Sequence, residues 1–192
     1  MQPILANVGV PMIFIHWPLM IGALIPVIVI EALLIRRWLP LSYGDAFKGC
    51  SAANAFSTFV GVPLAWLAMF ALELVVMMPV AFAADNWHWK LDSPLFYVLG
   101  FLFSTAWLAP VGQDLHWMVP LAVALFLIPC FYASVRLERS TCRRMWPSLD
   151  PVAVSSAVYR ANLASYVFLF LLACGWMIFA LLTHQPTNGH GS

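Results

Sequence analysis

Glu31 and Glu138 are the residues best placed to do chemistry, because each carboxyl group falls inside an apolar run, where an acid must be paired, protonated or hydrated. Each stands five residues before an arginine pair, Arg36-Arg37 and Arg143-Arg144. That spacing is about a turn and a half of helix. Asn54 with Ser57, and Asn162 with Ser165, follow in the next apolar run of each half. Two readings of these six residues stay open. In the first, each glutamate bonds the asparagine of the returning helix, assisted by Ser57 or Ser165, at about 0.6–2 kcal/mol per interhelical bond. In the second, both glutamates lie near one axis as a polar track for a proton or a cation. A glutamate that reaches for the neighbouring arginines, Glu138 toward Arg136 or Arg139, is a third and simpler outcome.

A second set of residues could meet on the other side of the membrane: His16, Glu73, Asp85, His88, Asp114 and His116. Imidazole and carboxylate groups together suit zinc or copper. The set contains no H-x-x-x-H, H-E-x-x-H or C-x-x-C spacing, and histidine beside tryptophan at a boundary also fits an interfacial belt. No cofactor is expected. The four cysteines, Cys50, Cys130, Cys142 and Cys174, form no C-x-x-C pair and read as ordinary reduced thiols.

The elements that position these groups follow from composition and repetition. Hydrophobic residues make up 63% of the chain and charged residues 9%, with a mean hydropathy of +0.89. Soluble chains carry roughly 25% charged residues. An integral membrane protein is the expectation, and conventional catalytic signatures are missing: no G-x-S-x-G elbow, no phosphate loop and no soluble domain to hold a carboxylate pair. An enzyme is not expected.

The order Glu, Arg-Arg, Pro, Ala-Asn, Ser occurs twice. Glu31, Arg36, Arg37 and Pro40 recur 107 positions later, and Ala53, Asn54 and Ser57 recur 108 positions later. His16-Trp17 and Pro18-Leu19 return as His116-Trp117 and Pro120-Leu121. Such self-similarity marks an internal duplication. Four apolar runs are long enough to cross a bilayer: Met12 to Ile35, Ala46 to Ala84, Met118 to Val135 and Leu163 to Leu182. A fifth, Leu95 to Val111, is shorter and broken by Gly100 and Pro110.

Eight of the nine basic residues fall in two loops, Arg36 to Lys48 and Arg136 to Arg160. The positive-inside bias puts both loops in the cytoplasm and removes any need for a nucleic-acid partner. The fifth run is then re-entrant or interfacial on the outer side, where Asp85 to Lys90, Trp107 and Trp117 resemble an aromatic belt. The expected fold is all-α: a polytopic membrane protein of two parallel helical-hairpin repeats, four spans in all, in a bacterial inner membrane with both termini outside. Residues 1–84 are the first hairpin with its lead, 85–115 the outer linker, 116–183 the second hairpin and 184–192 a flexible tail. The lead shows no cleavable signal pattern. A kink is expected at Gly61 and Pro63 in the second span, which would otherwise be too long for the bilayer. Partners are membrane lipid and other membrane proteins or further copies of the chain.

The stretch Ile28-Val29-Ile30-Glu31-Ala32, then an arginine-rich turn, then Ala53-Asn54-Ala55-Phe56-Ser57 with Gly61, resembles the opening of small cyanobacterial filament-integrity membrane proteins of the FraC type. The resemblance spans about 40 residues. It implies a non-enzymatic scaffold or assembly protein supporting cell–cell junctions, and it carries no established site residues. A small transporter or channel subunit using the Glu/Asn pairs is the alternative, and an outer-face metal-binding protein a further one.

Overall fold

A computed structural model describes residues 10–87, 101, 105–108 and 115–183. Four helices in it are long and apolar enough to cross a membrane, over Ile13–Trp38, Tyr43–Val76, Trp117–Met145 and Pro151–Thr183. The chain is thus an all-α, multi-pass membrane protein.

Helix α1, Ile13–Trp38, ends as the chain turns extended at Leu39 ahead of Pro40, which cannot continue a helix. The return starts at Ser42. Its hydroxyl accepts the Asp45 backbone N–H at 3.1 Å and faces the Asp45 carboxylate at 2.7 Å, so it caps helix α2, Tyr43–Phe56. A π-helical turn, Ser57–Gly61, then leads into helix α3, Val62–Trp87. Where a kink is expected at Gly61 and Pro63 the structure has this π-helical turn, which begins six residues before Pro63. Pro63 has no N–H for the preceding turn, and Val62 N–H bonds the Ser57 carbonyl five residues back, which widens the helix by one residue.

The second hairpin comprises helix α4, Leu115–Met145, and helix α5, Pro151–Thr183. Asp150 caps α5 by accepting the backbone N–H groups of Val152 at 3.3 Å and Ala153 at 2.9 Å. Pro151 fills the first helical position, where a missing N–H costs nothing. No π-helical turn interrupts α5 at the positions matching Ser57 to Gly61.

Helix α1 packs on α2 and α5, and α4 packs on the same two helices. The two glutamate-bearing helices therefore stand at opposite corners of a four-helix square. One apolar cluster joins Ile35, Leu39 and Cys50 of the first hairpin to Cys142, Trp146 and Val154 of the second. Both dibasic turns are consequently at the same end of the bundle. Gly49 is what permits that approach, since a Cβ on it would overlap the Trp146 ring. Across the same end, the Arg160 guanidinium lies 5.9 Å from the Trp38 ring centre, and Arg36 lies 3.3 Å over Tyr43.

The opposite end is closed by Met12, Met118, Ala122, Val123 and Ala173. Strand β1, Val10–Pro11, pairs antiparallel with strand β2, Trp107–Leu108. The Ala106 carbonyl accepts both Met12 N–H and Trp66 Nε1–H at 3.0 Å. The described part of the linker thus folds back on the bundle, as irregular backbone at this depth must in order to satisfy its polar groups. The rest of the Leu95 to Val111 run lies outside the described residues. Large apolar side chains such as Phe14, Ile25, Val75, Phe179 and Leu182 face outward, as lipid contact requires.

Candidate functional site

The polar residues at the centre of the square bond in a crossed pattern. Asn54 on α2 donates its Nδ2 to Glu31 Oε2 at 2.6 Å, within the first hairpin. Asn162 on α5 donates in the same way to Glu138 Oε2 at 2.7 Å, within the second. The serines cross over. Ser57 Oγ donates to Glu138 Oε1 at 2.7 Å, and Ser165 Oγ donates to Glu31 Oε1 at 2.6 Å.

Every carboxyl oxygen of the pair is thus met by one donor, and each hairpin supplies one donor to the other. All six side chains are at most 4% exposed. The two carboxyl groups are near enough to interact with each other. Their partners among the described residues are amides and hydroxyls, with no arginine or lysine in contact. Glu138 therefore does not turn to Arg136 or Arg139. Arg139 instead donates Nε to the Ser155 carbonyl at 3.2 Å and faces the Tyr159 ring.

Local helix geometry makes the crossing possible. Asn54 and Ser57 are three residues apart on one face, as are Asn162 and Ser165, so each pair presents two donors about one turn apart. Each asparagine also bonds the carbonyl one turn back, Cys50 at 3.0 Å and Val158 at 3.1 Å, which fixes its amide toward the glutamate. Asn162 Oδ1 is left buried without a donor.

One turn further from the dibasic end lies a layer that sequence spacing did not single out. Ser134 Oγ and Tyr166 Oη are 2.8 Å apart and buried beside Thr58. With Asn54 and Ser57 they line a cavity of about 10 Å³ whose remaining walls are apolar. That is about the room of one water. The signal was present, since Ser134 stands four residues before Glu138, and Thr58 and Tyr166 are 108 positions apart like the asparagines.

The second expected cluster is not assembled among the described residues. His16 is 2% exposed, donates Nδ1–H to the Met12 carbonyl at 2.8 Å, and packs its ring 4.3 Å from that of Phe126. It is held inside the bundle rather than in a boundary belt. Glu73 is half-buried on α3. His88 and Asp114, and the side chains of Asp85 and His116, lie outside the described part. Among the described residues, no group of three or more His, Cys, Asp or Glu side chains is arranged to hold a metal.

No family model, curated protein or solved structure matches the chain. The site defines a class all the same: a helical membrane protein, with four membrane-capable helices among the described residues, whose hairpins are joined by a buried carboxyl, amide and hydroxyl network.

Proposed function

We propose that this protein is a non-enzymatic scaffold or assembly factor of the bacterial inner membrane, with the dibasic turns in the cytoplasm and both termini outside. The observation that carries this reading is the exchange of Ser57 and Ser165 between hairpins. The polar residues of both halves are used to fasten one half to the other, which suits a rigid body that presents fixed surfaces. Those surfaces are the turns rich in arginine and the apolar outer faces, and they fit other membrane proteins or a second copy. The likeness of the Glu31 and Asn54 regions to filament-integrity proteins adds a location, the junction between adjoining cells.

A tagged chain cross-linked and purified from native membranes tests the reading. The expected result is a defined complex that weakens when Ser57 and Ser165 are both changed to Ala. Purified protein in liposomes should pass no solute. A solute flux abolished by Glu31→Gln or Glu138→Gln would replace the scaffold with a transporter.

A further inference from the structure

The serine hydroxyls that fasten the hairpins have more acceptors than protons. Ser57 Oγ lies 2.7 Å from Glu138 Oε1 and 3.1 Å from the Asn54 carbonyl, but it carries a single hydrogen. Ser165 Oγ repeats this, 2.6 Å from Glu31 Oε1 and 3.0 Å from the Asn162 carbonyl. Each hydroxyl can therefore point at an ionised carboxylate, or point at the backbone and accept from a protonated carboxyl. The serine–glutamate hydrogen bond is kept in either state, and protonation adds the bond from the hydroxyl to the backbone carbonyl.

The surroundings favour a proton in the centre. Two neighbouring carboxylates inside a dry core repel strongly, and four amide or hydroxyl donors cannot replace a counter-charge for both. Asn162 Oδ1, on a side chain with 0% exposure, lacks a donor, so the centre is short of protons rather than of acceptors. The other titratable groups facing the pair are Cys50 on α2, Cys142 on α4 and Tyr166 on α5, all weak acids. The cavity bounded by Thr58, Ser134 and Tyr166 gives the centre a water-sized contact on the side away from the dibasic turns.

We propose that Glu31 and Glu138 form a proton-binding centre in which the two carboxyl groups share one proton, carried by one of them at a time, with Ser57 and Ser165 as reorienting hydroxyls. When the proton passes from Glu31 to Glu138, Ser165 turns its hydrogen from the Asn162 carbonyl to the new Glu31 carboxylate. Ser57 turns its hydrogen from Glu138 to the Asn54 carbonyl and accepts from the new acid. One proton moves, two hydroxyls rotate, and the charge of the centre stays at minus one. This goes beyond the scaffold reading and holds or fails independently of it.

Infrared spectroscopy of protein carrying ¹³C-carboxyl glutamate, in lipid nanodiscs at neutral pH, tests the proposal. Only three glutamates are present, Glu31, Glu73 and Glu138. The expected spectrum has a protonated carboxyl band worth one glutamate per chain, shifted in D₂O and unchanged by Glu73→Gln. The band should vanish in Glu31→Gln and in Glu138→Gln, because a neutral partner lets the remaining carboxyl ionise. No band in the Glu73→Gln protein, or a band worth two glutamates, would overturn the proposal. That measurement decides the matter even if neither central glutamine variant folds.

Discussion

Ser165 Oγ of the second hairpin sits 2.6 Å from Glu31 Oε1 of the first, across 134 positions of sequence. Its mirror, Ser57 to Glu138, spans 81 positions at 2.7 Å. Each hairpin thus completes the other's acid. Neither polar centre is satisfied by its own two helices alone.

Loss of one crossing bond should be measurable as stability. Ser165→Ala is expected to cost about 0.6–2 kcal/mol, the range of interhelical bonds in lipid. Combining it with Glu31→Gln should cost less than the sum of the two, since they share a bond. Combining Ser57→Ala with Glu138→Gln should show the same shortfall, since that pair shares the other crossing bond. Thermal or denaturant unfolding in detergent micelles gives the cycle, and strict additivity in both would show that the crossed bonds do not hold the hairpins.

The glycines separate close approach from mere helix composition. Gly49→Ala drives a methyl group into the Trp146 ring and should destabilise by about 1–3 kcal/mol, as overpacking does. Gly22→Ala and Gly175→Ala meet no atom within 4 Å. Those two should be neutral or stabilising by up to about 1 kcal/mol, because alanine loses less chain entropy in a helix. Melting temperatures of the three variants check the order.

Thiol labelling reads both burial and sidedness. Cys50, Cys130 and Cys142 are each 1% exposed and should resist maleimide in the folded protein, reacting only after denaturation. In a Cys174→Ser background, cysteines placed at Arg37 and Arg143 should react from the same face of sealed vesicles. Reaction from opposite faces would contradict the joint packing of the two turns.

Pro63 is expected to maintain the π-helical turn. Pro63→Ala restores an N–H that can bond the Phe59 carbonyl, allowing the segment to relax to an ordinary helix. Removing the extra residue from the turn rotates α3 by about 100° relative to α2. The Trp66 indole would then leave the Ala106 carbonyl. A red-shifted Trp66 emission, recorded with the other tryptophans replaced by phenylalanine, is the expected sign.

Much of this architecture was legible in the residues themselves. Four apolar runs of spanning length, basic residues gathered in two turns, and Glu, Asn and Ser recurring at matched positions led to two hairpins with a polar site in each. The Glu31 to Asn54 and Glu138 to Asn162 bonds lie where spacing placed them. Helix rise and lipid thickness are enough for that, since both act along one chain axis.

What only the tertiary structure decided is which helix lies beside which. In lipid the outer and inner faces of a helix are both apolar, so periodicity hardly distinguishes a core face from a bilayer face. The serines could therefore be placed near the glutamates by depth, yet not assigned to the opposite hairpin. His16 looked like a boundary residue beside Trp17, and only the packing of Phe126 and the Met12 carbonyl encloses it. The layer of Thr58, Ser134 and Tyr166 took on meaning in the same way, because a cavity exists only once the helices of both hairpins close around it.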